Sequence, residues 1–114
     1  MPETETSLEV RRVSATAAVI TVRGELTGAS DAALMGAFGQ AADPSTRIVI
    51  FDFSATDYIN STGLAIIVQV LARARAEHCE VHAVGLSDHY REIFEITRLS
   101  DFVTLHADRA AALA

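Results

Sequence analysis

The 114-residue chain carries 15 acidic residues against 9 arginines and no lysine, a formal charge of −6, and half of its residues are apolar. One domain with one packed core is the expectation, and the negative field argues against nucleic acid or anionic lipid as a partner. Cys79 is the only cysteine, so an intramolecular disulfide is excluded, and the longest apolar run, 64–72, is broken by Gln69 and falls far short of the roughly 20 residues of a membrane helix.

Residues 1–7 are acidic and polar, with no signal-peptide core; a short flexible start, a cytoplasmic location and no direct membrane insertion are expected. Residues 8–13 and 18–23 are strand-like runs joined by a short polar link, the pattern of an antiparallel hairpin. After a loop through Gly28, Ser30 is placed to cap a helix over 31–42, with Leu34, Ala37, Phe38 and Ala41 on one face. Asp43-Pro44 ends it, because the residue before proline avoids helical geometry.

Residues 47–53, RIVIFDF, form a strand apolar on both faces, as expected at the centre of a parallel sheet covered by helices. From 61 to about 78 the period is helical, with Leu64, Ile67, Val68, Leu71 and Arg75 as the inner stripe. Ile66 and Val70 make a second stripe that reads either as a partner-facing patch or as one buried under a neighbouring element. A strand over 80–84 follows, then a helix from Ser87-Asp88 to about 98 with Tyr90, Ile93, Phe94 and Thr97 inward. A strand over 103–106 and a helix over 108–114 close the chain. The order ββαβαβαβα predicts a single α/β domain over 8–114: a mostly parallel central sheet with an N-terminal antiparallel strand, flanked by about four helices.

Little in the chain reads as catalytic apparatus. His78, His82, His89 and His106 stand at no recognised metal-ligand spacing and read as surface or strand-end residues. Cys79 beside His78 reads as an ordinary thiol rather than a nucleophile. No dinucleotide or phosphate loop occurs, and with no lysine there is neither a Walker lysine nor a Schiff base. Asp52 and Asp57 could pair near Ser61 in a hydrolase, but a triad also needs a histidine brought in by the fold.

The segment 52–64, DFSATDYINSTGL, joins the buried strand to the apolar helix. Asn60 or Ser61 stands where the helix starts, Gly63 leaves room in its first turn, and free N–H groups there tolerate a phosphate on Ser61. On the residues alone a helix cap is the preferred reading of the same serine or asparagine.

This segment resembles the signature of STAS-domain anti-sigma-factor antagonists, D-[LF]-S-x-x-x-[FY]-[IM]-D-S-[ST]-G-L, in which the first serine of S-[ST]-G is phosphorylated. Asp52, Ser54, Ser61, Thr62, Gly63 and Leu64 fit it. Residues 22–26, VRGEL, and 94–99, FEITRL, resemble two further stretches of the family, so the likeness spans nearly the whole chain. The chain departs from it at Asn60 and Thr27, where the family usually has aspartate.

The resemblance implies a non-enzymatic, cofactor-free bacterial phosphoprotein that regulates transcription by partner switching. Its unphosphorylated form would bind an anti-sigma factor with serine kinase activity and free a sigma factor. Phosphorylation of Ser61, or of Thr62 as the alternative acceptor, would end that binding, and a PP2C-type phosphatase would reverse the mark. The implied partner-facing set is Thr27, Asp52, Asp57, Asn60, Ser61, Thr62, Gly63 and Ile66. A non-switching STAS scaffold, in a stressosome or a lipid-transporting ABC system, is the alternative.

Overall fold

A computed structural model describes residues 6–113. β1 (Ser7–Arg12), with Leu8 and Val10 alternating against polar residues, and β2 (Ala17–Leu26), with its β-branched run Val19–Val22, pair antiparallel from Ser7↔Arg23 to Arg12↔Ala18. The remaining strands are β3 (Ile48–Asp52), β4 (Thr56–Ile59), β5 (Glu80–Val84) and β6 (Thr104–His106). They run parallel to their neighbours in the order β1-β2-β3-β5-β6, with β4 set against the far end of β2. The helices are α1 (Asp31–Ala41), α2 (Ser61–Ala76), α3 (Asp88–Ile96) and α4 (Arg109–Leu113). The expected mostly parallel α/β domain with four helices is the fold observed. Residues 1–5 and Ala114, within the expected flexible start and final helix, lie outside the described residues, and Ser7 already belongs to β1.

The strand period of two divides the sheet into unequal faces. One face presents Ala18, Ile20, Val22, Val49, Phe51, Val81 and Ala83 to α1, α2 and α3, and holds the main core around Phe38 and Phe94. The other holds a small apolar cluster of Val19, Ile50 and Val84, with Ile48 and Ala112 of α4 against it, and also buries Ala17, Thr21 and Asp52.

Three sequence expectations need correction. β4 went unread, because TDYI is short and half polar; it exists because the long β2 runs past β3 and offers its last residues a partner. Ser30 does not cap α1: its hydroxyl accepts from the Thr27 amide while Thr27 accepts from Ala29, a capping box around a 3-10 turn at Gly28–Ser30.

The roll of α2 is the third. Its buried stripe is Gly63, Ile66, Ile67, Val70, Leu71 and Ala74, whereas Val68 is 45% exposed and Arg75 is exposed. Two apolar stripes exist on this helix, and periodicity alone does not choose between them. Gly63 does, since a Cβ on it would sit 2.2 Å from the Leu26 carbonyl oxygen, a contact only glycine permits.

Candidate functional site

The strand ends β2 and β4 and the first turn of α2 converge on one rim. β4 ends at Ile59, whose amide donates to the Tyr90 hydroxyl of α3 at 2.9 Å, and the next amide, of Asn60, donates to the Leu26 carbonyl. The chain is thus gripped on both sides immediately before α2 begins.

Asn60 is the helix cap. Its backbone is extended and its Oδ1 accepts from the Gly63 amide at 2.7 Å. The same oxygen accepts from the Thr62 hydroxyl at 2.8 Å, and Thr62 Oγ1 in turn accepts from the Gly28 amide at 3.0 Å. Thr62 therefore ties the 3-10 turn to α2, and its hydroxyl is committed. Ser61, the first helical residue, is exposed, and its hydroxyl enters none of these bonds. The choice between Asn60 and Ser61 as cap is settled for Asn60.

Thr27 is half-buried beside this network, and Asp57 is exposed on β4 next to Tyr58, itself 48% exposed. Of the expected partner-facing residues, Thr27, Asp57, Asn60, Ser61 and Thr62 reach the rim. Gly63 is buried as the contact point of α2 on β2.

Two of that set are corrected. Ile66 lies in the core at 4% exposure and presents nothing to a partner. Asp52 is buried and split between two structural duties: one oxygen accepts from the Ser54 amide and hydroxyl at 2.9 and 2.5 Å, the other from Arg109 Nε of α4 at 2.6 Å. Arg109 also donates to the Thr21 hydroxyl. Burial pushes the Asp52 carboxyl up, but the Ser54 bonds and the Arg109 guanidinium outweigh it and hold the group below the ordinary aspartate value.

A hydrolytic arrangement is not assembled here. Asp52 is spent on Arg109 and Ser54, and no described histidine is hydrogen-bonded to Ser61. Burial and the nearby Glu77 and Glu80 carboxylates raise the Cys79 thiol, opposing thiolate chemistry. Among the described residues no three His, Cys, Asp or Glu side chains converge as a metal-ligand set, and no helix is long and apolar enough to cross a membrane. Tyr90 was missed as a site residue; its role depends on a contact 31 residues away that no local pattern announces.

The family model described as Mlab, STAS domain matches residues 10–105. BtrV of Bordetella bronchiseptica, whose name places it among anti-sigma factor antagonists, is 32% identical over 94 residues, 82% of this chain and 81% of its own. Among solved structures, an anti-sigma factor antagonist from Mycobacterium paratuberculosis superposes with a TM-score of 0.80 at 23% identity, covering 96% of this chain and 92% of its own. The antagonist SpoIIAA superposes in its unphosphorylated and phosphorylated forms with TM-scores of 0.69 and 0.67, each at 17% identity; both cover 93% of this chain, and 93% and 96% of their own.

Proposed function

The chain belongs to the STAS-domain family of anti-sigma factor antagonists, regulatory binding proteins rather than enzymes, and on that premise we propose a phosphorylation-controlled protein-binding switch with Ser61 as the switched residue. The single observation that carries this reading is the state of the Ser61 hydroxyl. It is exposed and, among the described residues, unengaged at a helix N-terminus, while the polar groups of Asn60 and Thr62 beside it are committed to structure. Thr62 is the poorer acceptor because phosphorylation would break its bonds to Asn60 and Gly28.

The unphosphorylated form would bind an anti-sigma factor that is itself a serine kinase, and so free a sigma factor. The contact surface would run from Ser61 down the outer face of α2, where Ala65, Val68 and Ala72 are exposed at helical spacing. A phosphate there adds about −1.5 to −2 charges. The helix N-terminus tolerates it in water, but burying it against a partner without a matching arginine costs several kcal/mol. The fold need not change, and a PP2C-type phosphatase would restore binding. Asn60 and Thr27 leave the rim around Ser61 without the two acids usual in the family, so a phosphoserine meets less like-charge repulsion.

The matching family model is described for Mlab as well as for the STAS domain, which keeps a non-switching scaffold subunit as the second reading. Affinity capture from the native host's lysate with wild-type and Ser61→Asp baits separates the two. Recovery of a small ATP-binding anti-sigma kinase by wild type alone is the expected result. Equal recovery of an ABC ATPase or a large scaffold by both baits would overturn the switch.

A further inference from the structure

On the thinly covered face of the sheet, away from Ser61, two histidines and a glutamate form a hydrogen-bonded chain. The registers His82↔Thr104 and Val84↔His106, with the strand period of two, place Glu80, His82 and His106 on that one face. His82 Nδ1 lies 2.9 Å from His106 Nε2, and His82 Nε2 lies 3.2 Å from Glu80 Oε1. The ring planes are within 5° and the centroids 5.1 Å apart, so the rings meet through their nitrogens, edge to edge. The His82 side chain is 14% exposed and that of Glu80 72% exposed, so the pair is held firmly yet reachable from solvent.

We propose that His82 and His106 form a site for a borderline divalent transition metal of the zinc class, with Glu80 as the residue that orients His82. The carboxylate only accepts, so His82 Nε2 carries a proton, and in the neutral ring Nδ1 keeps its lone pair toward His106. A carboxylate behind the ligating imidazole is the usual outer support of a metal-bound histidine; it fixes the tautomer and raises the basicity of the donor nitrogen. In the metal-free chain His106 donates its Nε2 proton to His82. On metal binding that proton moves to His106 Nδ1, both rings stay neutral, and Nδ1 of His82 and Nε2 of His106 become free donors.

The geometry suits a small ion. Zinc–nitrogen bonds of about 2.0–2.1 Å at a tetrahedral angle set the two nitrogens about 3.3 Å apart, roughly 0.4 Å more than in the free pair. To share an ion each ring must also swing its lone pair off the N···N line by roughly 35°, a side-chain rotation, while the β5–β6 ladder fixes both backbones. Two imidazole donors favour zinc, copper or nickel over calcium or magnesium, water fills the other positions, and the net charge of −6 favours any cation.

Zn²⁺ titration of the whole protein by calorimetry, with histidine ring ¹⁵N shifts followed by NMR, tests this. One ion per chain is expected, in the micromolar range, with shifts at His82 Nδ1 and His106 Nε2. His82→Gln and His106→Gln abolish binding, Glu80→Gln weakens it about tenfold, and His89→Gln, on an exposed histidine, leaves it unchanged. The proposal fails if wild type binds no tighter than about 1 mM, or if the shifting nitrogens are those of His78 or His89. The wild-type shifts decide the matter even if a variant fails to fold.

Discussion

The segment between β3 and α2 is built in opposite ways at its two ends. At the β3 end Asp52 is buried and fully committed, one oxygen to Ser54 and the other to Arg109 of the final helix. At the α2 end, nine residues on, Ser61 is exposed and its hydroxyl has no partner among the described residues, although Asn60 and Thr62 on either side are bonded into the scaffold. A charged residue in a signature motif can thus serve the fold while a neutral one is left free for the proposed switch. The carboxylate is costly to bury without partners, so it is given them; the hydroxyl can be left in water at no cost.

Substitutions along this segment sharpen that contrast, and the largest effect falls where the two strands meet the helix. Gly63→Ala forces a Cβ against the Leu26 carbonyl and is expected to cost about 3 kcal/mol or more in chemical denaturation. Wild-type stability in that variant would mean that α2 does not pack on β2 so closely. Next comes Asp52→Ala, which strands Arg109 and Ser54 and is expected to cost about 1–3 kcal/mol.

The acid limb of stability carries the same information. Asp52 titrates below its ordinary value in the folded state, so its contribution is complete above about pH 4 and is lost as pH falls through the lowered folded value. Denaturation midpoints measured between neutral pH and the acid range should therefore fall less steeply in Asp52→Asn than in wild type. Parallel curves would remove Asp52 from the list of structural carboxylates.

At the other end the expected effects move from stability to binding. Ser61→Asp should weaken partner binding by more than about tenfold, over about 1.4 kcal/mol, with the melting temperature within a few degrees of wild type; equal affinity by calorimetry would end the switch reading. Asn60→Ala removes the cap and should cost about 1 kcal/mol. Ser61→Ala should change stability by less than about 0.5 kcal/mol, and a larger loss would show that its hydroxyl has a structural partner after all.

Much of this was legible in the residues. The apolar RIVIFDF run gave the central strand, the face Leu34, Ala37, Phe38 and Ala41 is the one α1 buries, and DFSATDYINSTGL marked the rim and its serine. What misled was ambiguity of roll: Leu64 and Val68 competed on equal terms with Ile66 and Val70 for the core of α2. β4 escaped notice because four half-polar residues become a strand only beside the overhanging end of β2.

The sequence by itself determined the order of the elements other than β4, the hydrophobic segments and the Ser87 cap of α3, because these depend on residues a few positions apart. Only the tertiary structure decided which stripe of α2 is buried, that Asp52 faces Arg109 57 residues away, that Tyr90 holds the amide before the cap, and that His82 meets His106. Each of these is a contact between distant parts of the chain, set by strand register and by the one close approach at Gly63, and no local period encodes either.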